Sequence, residues 1–358
     1  MLVFVVACSL LWALIYFALM LGIRRKQPNY PEFNPSVSVI IAAKNEEKNL
    51  SSHLPHILSQ QYPEFEVIVS VNQTTDNTIK VLEKLQQQYP HLQWIERNNI
   101  PENTSPKKYA LAQAILKAKH EHLLFTDADC IPNSKKWIAN MIQPFANPKT
   151  EIVLGYSPYK QENSFLNSFI QYETTFTAVQ YLGLAKIGLP YMGVGRNLAY
   201  KKSLFEKHTF ESHKHILSGD DDLFINQTAN KNNTVVQTNH DAWVYSTPQQ
   251  QWASWYRQKS RHISTGKHYK NIHLFILGII SLFNIVLPFL PFLYFLIQEK
   301  FYIFALPLLL VYFCTAVLFK LYRVRIKTAH FILLPFAYSL YQVIFSIKGI
   351  FSNKHKTW

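Results

Sequence analysis

Charge is scarce in this sequence. Asp, Glu, Lys and Arg make up 16% of its residues, while hydrophobic residues reach 48% and aromatics 15%; ordinary soluble domains carry about 25% charge. That deficit argues against a wholly water-facing surface and leaves part of it for lipid. Cysteine is scarce too. Cys8, Cys130 and Cys314 supply no disulfide framework and no thiolate metal site, and they fit a reduced, cytosol-facing globule. Glycine-rich phosphate loops are missing, since neither the dinucleotide fingerprint nor the Walker pattern occurs. The net charge of +14 is scattered or sits beside apolar blocks, which points away from a nucleic-acid partner.

Apolar residues form one block at the start and long blocks after about residue 271, with a polar middle. Leu2 to Ile23 contains no charge and is long enough for the ~20 residues that cross a hydrocarbon core. Arg24, Arg25 and Lys26 follow it. A cleavable signal would carry its charge before a shorter core, so a retained anchor over 1–23 is expected, with the residues after it in the cytosol. A second block runs from Ile272 to Ile297, pauses at Gln298, Glu299 and Lys300, and resumes from Phe301 to Phe319. This reads as a helical hairpin. Lys320, Arg323, Arg325 and Lys327 then return the chain to the cytosol. The stretch from His330 to Phe351 contains Pro335 and Lys348 and is followed by Lys354 and Lys356; spanning would put a basic tail outside, so an interfacial or re-entrant helix is expected there.

Between residues 36 and 245, short β-rich runs alternate with helical stretches, the pattern of a doubly wound α/β domain. Strands are expected over Val37–Ala43, Phe65–Val71, Leu92–Glu96 and His122–Thr126, with helices over Glu46–Gln60, Thr78–Gln88 and Lys107–Lys119. The expected organisation is an anchor over 1–23, the α/β domain over 24–248, an amphipathic segment over 249–271, membrane or interfacial helices over 272–351 and a basic tail over 352–358. Open α/β sheets bind ligands beyond the carboxyl ends of their strands. There the sequence places Lys44-Asn45-Glu46-Glu47 after the first strand and Asp127-Ala128-Asp129 after the fourth. Carboxylates one residue apart at a strand end can reach a divalent cation that also binds diphosphate oxygens; equally, Asp129 or Asn133 could cap the helix near Lys135. Without a phosphate loop, a nucleotide must be held by side chains and a metal, which suits a nucleotide sugar better than NAD or ATP.

From Ser36 to His262 the chain resembles the family 2 glycosyltransferases, which have the Rossmann-like GT-A fold. Val37-Ser38-Val39-Ile40-Ile41-Ala42-Ala43-Lys44-Asn45-Glu46 is similar to the family's first strand and loop, Lys107-Lys108-Tyr109-Ala110-Leu111 to its Lys-x-x-Ala-Leu helix start, and Leu123 to Asp129 to its Asp-x-Asp strand. The resemblance implies that Asn45, Glu46, Lys107 and Asp127 border the donor and that Asp129 holds Mg²⁺ or Mn²⁺. Gly193 to Tyr200, with Arg196 and Asn197, is similar to the acceptor-side segment. Ser218-Gly219-Asp220-Asp221-Asp222-Leu223 looks like the family's acidic motif, which implies that Asp221 is the general base, beside Asp220. Crowded carboxylates raise the proton affinity of at least one among them, as a base requires. In a structural reading, Asp220 caps the helix that follows.

Two places depart from the family pattern. Asn72 stands where a base-reading aspartate is usual; its carbonyl can still accept from a nucleobase N–H. Gln258-Lys259-Ser260-Arg261-His262 resembles the Gln-x-x-Arg-Trp motif of processive synthases, with His in place of Trp. Gln258 and Arg261 are expected on the diphosphate side. Trp252, Trp255 and Tyr256 recur as on one helix face, which also suits anchoring in the headgroup region.

The expectation is an inverting, metal-dependent glycosyltransferase of the cell membrane, multi-pass, with a cytosolic catalytic domain. It would take a nucleotide-sugar donor, UDP favoured, and a lipid-linked or membrane-proximal acceptor. A processive polysaccharide synthase and a noncatalytic membrane scaffold are the alternatives.

Overall fold

Runs rich in β-branched residues form the strands. In the computed structural model, which describes residues 2–24, 28, 30–97, 99–289 and 302–351, these are β1 (Val37–Ala43), β2 (Phe65–Asn72), β3 (Leu92–Arg97), β4 (His122–Phe125), β5 (Cys130–Pro132), β6 (Ile152–Gly155), β7 (Leu198–Lys201), β8 (Thr234–Gln237) and β9 (Val244–Ser246). Arg25, Lys26, Gln298 to Lys300, Lys354 and Lys356 lie outside the described residues, and so do the charge readings made on them. The chain divides into two compact units, one from Lys26–Pro158 and Gly188–Thr247, the other from Met1–Arg25, Tyr159–Ile187 and Pro248–Asn353.

The first unit carries a seven-stranded sheet in the order β3-β2-β1-β4-β7-β6-β8. β1 runs parallel to β2 and β4, and β2 to β3. β7 is antiparallel to both β4 and β6, while β6 and β8 are parallel. The chain winds outward from β1 to β3 and then returns to the other side of β1, so the switch point falls between β1 and β4. Alternation decides the layers. Val37, Val39, Ile41, Val67, Val69 and Val71 share a face and a core cluster with Leu50, Leu54, Ile57 and Leu58, the i, i+4, i+7, i+8 stripe of the Glu47–Leu58 helix. The Pro106–Lys117 helix packs on β1 and β2 through its own stripe, which buries Ala110, Leu111, Ala114 and Ile115. A small antiparallel pair, β5 with β9, sits beside this sheet.

The second unit is helical: Leu2–Arg24, Phe165–Lys186, Trp252–Ile263, Asn271–Val286, Tyr302–Leu321 and Thr328–Phe351. Residues 159–187, which fall inside the 24–248 stretch read from the sequence, cluster here. Leu14, Phe17, Phe275, Leu282, Phe313 and Ile347 stand exposed on these helices. One described helix, Thr328–Lys348, is long and apolar enough to cross a membrane; Ala7–Ile23, Asn271–Val286 and Leu308–Leu321 are shorter apolar stretches. The segment expected to be interfacial or re-entrant is thus a continuous helix through Pro335. Asn284 is one polar group paired inside the unit. Asn284 Oδ1 accepts from Trp12 Nε1 at 2.9 Å and from Tyr16 Oη at 3.3 Å.

Trp252–Ile263 is a helix, as the aromatic spacing suggests, yet its aromatics do not share one environment. Trp252 and Tyr256 are exposed, whereas Trp255 is buried against Phe169, Tyr341 and Phe345. Lys259 is buried as well, and donates to Glu173 Oε2 at 2.6 Å.

Candidate active site

Three loops meet at the carboxyl ends of β1, β2 and β4. Asn45, just after β1, has φ 56, a conformation that Asn tolerates better than most residues. Its Oδ1 accepts from the Thr75 backbone N–H at 2.7 Å and its own N–H donates to Thr74 Oγ1 at 2.9 Å, which locks the β1 and β2 loops together. Asp76 extends the clasp by accepting from the Glu47 N–H at 3.0 Å. Desolvation raises its carboxyl, but the hydrogen bonds from Thr78, Glu47 and Thr74 together outweigh that and hold it down to about 2. Glu46 is pushed up to about 7, first by burial and then by the nearby charges of Asp129, Asp127 and Asp76, against a hydrogen bond from Asn49.

Asp127 and Asp129 leave β4 as a strand-end pair. Lys107, in the first turn of its helix, lies 3.3 Å from Asp127 Oδ1 and 3.0 Å from Asp220 Oδ2, so one ammonium ties the strand end to the acidic run. Burial alone would lower Lys107, but the carboxylates win and raise it. Asp129 takes a different surrounding. Its Oδ2 accepts from Ser246 Oγ at 3.0 Å and its Oδ1 from Cys130 Sγ at 3.3 Å, with β9 supplying the serine. Burial and the charge of Asp127 raise its proton affinity, and Arg196 pulls the other way. Asp129 accordingly caps no helix, and the helix that follows begins only at Trp137.

The three adjacent aspartates are not equivalent. Gly219, at φ 89 and with Leu223 where a Cβ would sit, makes the turn into them. Asp220 is buried; burial raises it, but Lys107 outweighs that and holds it below the ordinary range. Asp221, rather than Asp220, is the N-cap of Asp222–Thr228, its Oδ1 accepting from the Asp222 N–H at 2.8 Å. Its Oδ2 accepts from the Gly195 N–H at 2.6 Å. Burial, then the charges of Asp220 and Asp222, push Asp221 up to about 7. Asp222 turns back to its own helix, accepting from the Leu223 N–H. Asp127, Asp220, Asp221, Lys107, Thr126 and Gly195 line a small, partly open cavity.

Other expected site residues do not line this cavity. Asn72 is fully buried at the end of β2, and among the described residues neither amide atom has a hydrogen-bond partner. Asn197 is also fully buried, and braces the fold instead of facing the cavity. Its Oδ1 accepts from Trp137 Nε1 at 3.0 Å, and its Nδ2 donates to the carbonyls of Tyr156 and Ala242, each at 2.8 Å. Gln258 and Arg261 lie on the Trp252–Ile263 helix of the other unit. Sequence reasoning missed Ser246 and Gly195; the Gly-x-Gly run at 193–195 was the only local signal for the latter.

A divalent cation is tested by the donors present. Among the described residues no three His, Cys, Asp or Glu side chains gather around one point. Asp127 and Asp129 offer a pair whose mutual repulsion a cation would relieve. Mg²⁺-like ions are commonly held by one or two carboxylates together with substrate phosphates, so the residues fit.

This fold is that of a GT-A-like glycosyltransferase. Residues 35–265 match the family described as "Glycosyltransferase like family 2", and the chain belongs to it. It is similar to the poly-beta-1,6-N-acetyl-D-glucosamine synthase of Staphylococcus epidermidis, 24% identical over 172 residues, 48% of this chain and 39% of that one. It is also similar to the beta-monoglucosyldiacylglycerol synthase of Synechocystis, 30% identical over 117 residues, 32% of this chain and 24% of that protein. The matched stretches thus span well under half the length of those relatives. Among solved structures, the mannosyltransferase PcManGT from Pyrobaculum calidifontis, in complex with GDP-Man and Mn²⁺, superposes with a TM-score of 0.64 at 17% identity, covering 98% of both chains. That likeness establishes the shared fold.

Proposed function

We propose that this glycosyltransferase moves a sugar from a nucleoside-diphosphate donor to a hydroxyl of a membrane-associated acceptor, with inversion at the anomeric carbon. The observation that carries this reading is Asp221, a carboxylate held at about 7 beside the Lys107, Asp127 and Asp220 cluster, as a general base near neutrality must be. Asp221 takes the acceptor hydroxyl's proton as that oxygen bonds to the anomeric carbon, and the bond from this carbon to the diphosphate breaks with its electron pair leaving on phosphate. Gly195 fixes one oxygen of Asp221, so the other edge of the carboxylate is oriented before the acceptor arrives.

Asn45, Glu46, Asn72, Lys107 and Asp127 form the donor side. Asp129, with Asp127 beside it, would hold Mg²⁺ or Mn²⁺, whose charge would offset that developing on the leaving diphosphate. Arg196 and Asp220 are assigned to the diphosphate and acceptor side, and Asn197 braces the Arg196 segment. The exposed apolar helices support a membrane location, with the α/β unit cytosolic and a lipid-linked saccharide as acceptor. The neighbour solved with GDP-Man keeps GDP open beside the UDP favoured from the sequence.

Purified protein incubated with a panel of nucleotide sugars, a divalent cation and membrane lipids, with products read by mass spectrometry, tests the reading. A glycosylated lipid supports it; no donor turnover across the panel favours the scaffold. The polymer-forming staphylococcal relative favours a second reading, a processive synthase. A ladder of products in the same spectra would select it.

A further inference from the structure

The residue after Lys107 has no part in the chemistry above. Lys108 is 1% exposed, and among the described residues no carboxylate lies within ion-pair distance of it. Its Nζ donates instead to His213 Nδ1 and to the His213 carbonyl, both at 2.7 Å. The His213 ring is buried, and its Nε2 has no partner among the described residues. An unpaired ammonium in a protein interior is costly to keep, and an apolar side chain of the same length would pack there at less cost. Burial lowers Lys108 to about 8, against the more distant pull of Asp220, Asp222 and Asp221, and burial lowers His213 to about 4, so the ring is neutral and accepts.

What Lys108 holds is the start of the segment that ends in the three aspartates. The same helix start grips that segment at further points. The Ser105 N–H donates to the Lys214 carbonyl at 2.7 Å, Ser105 Oγ to the Leu217 carbonyl at 3.0 Å, and Lys107 pairs with Asp220 at 3.0 Å. Between these points, residues 214–221 have little regular structure of their own. Gly219, at positive φ, gives the segment a turn just before the acids.

We propose that Lys108 is a positioning residue: through His213 it anchors residues 213–221 on the Pro106–Lys117 helix and so fixes where Asp221 sits in the cavity. The inference rests on the reading of Asp221 as the general base. Lys108 touches neither donor nor acceptor; it acts through the loop. In the resembling Lys-x-x-Ala-Leu pattern its position is one of the variable ones.

Full-length protein in detergent, as wild type and as Lys108→Met, His213→Leu and His213→Gln, tests this by two separate readouts. Methionine matches the lysine stem and leucine cannot accept from Lys108, whereas glutamine keeps an acceptor. In Lys108→Met and His213→Leu, backbone hydrogen exchange over 213–221 is expected to quicken at least about tenfold while the β-sheet stays protected. Their kcat is expected to fall about 10- to 100-fold with the nucleotide Kd unchanged, the mark of a misplaced catalytic group rather than a lost binding contact. His213→Gln stays close to wild type in both. Wild-type exchange and kcat in Lys108→Met overturn the proposal. If wild type transfers no sugar, the reading of Asp221 fails, and the exchange arm still decides whether Lys108 orders the segment.

Discussion

The backbone N–H of Gly195 donates to Asp221 Oδ2 at 2.6 Å, and a Cβ built on that glycine would stand 3.3 Å from the same oxygen. Residue 195 therefore has to lack a side chain for the carboxylate to keep its place. Gly195→Ala should shift Asp221 by a few tenths of an ångström and lower kcat by about tenfold, with nucleotide affinity unchanged. Steady-state rates beside calorimetric nucleotide titration check this; wild-type kcat would show that the carboxylate's position is not critical.

Because Asp221 must be ionised to accept a proton, its position near 7 sets the acid limb of the rate. kcat should rise with pH through about 7 and level off above it. The same shift runs against stability. The folded-state value lies above the unfolded one of 3.8, so the stabilisation from the protonated carboxyl is present at low pH and is lost as pH rises through about 7. Asp221→Asn should therefore melt higher than wild type at pH ~8 and match it more closely at pH ~5. A flat rate profile from pH ~5 to ~8 would contradict both statements.

The first four strands were legible in the sequence because alternation and β-branching are local, whereas the three- and four-residue strands after them, β5 to β9, are too short to show a period and were not expected. The Val37–Ala43 strand is found as read, and the other three expected strands shift by a residue or less at their ends. Which loops meet followed from the switch-point rule. What remained hidden is long-range pairing. No local pattern links Lys107 to Asp220, or Asp221 to Gly195, because only the folded sheet brings those segments together. Asn197 shows the opposite limit: its motif looks like part of a site, but burial gives its amide to Trp137, Tyr156 and Ala242. The helix cap likewise fell one residue later than expected, since Asp220 is drawn to Lys107.

Asn197→Ala should accordingly act on stability. It strands one buried indole N–H and removes the donor from two carbonyls, which by the usual worth of such groups costs about 3 kcal/mol. Thermal melts check this, and a change below about 1 kcal/mol would mean that the bracing is dispensable.

Asp129→Asn removes a carboxylate that Ser246 and Cys130 hold in place. The amide oxygen can keep the serine bond, so the fold should persist while cation-dependent turnover falls by at least about 10²-fold and the Mg²⁺ or Mn²⁺ requirement weakens. Turnover measured against cation concentration decides it. An unchanged cation dependence would remove Asp129 from the metal site.

The most direct test of the account compares the three adjacent aspartates. Asp220 is paired to Lys107, Asp222 is turned to its own helix, and Asp221 alone combines a raised proton affinity with a place in the cavity. Transfer rate and nucleotide binding should be measured for Asp220→Asn, Asp221→Asn and Asp222→Asn. Asp221→Asn should bind nucleotide normally and lose about 10²- to 10⁴-fold in kcat, with milder losses in the other two; an active Asp221→Asn beside a dead Asp222→Asn would contradict the assignment of the base, and full activity in all three would contradict the displacement mechanism.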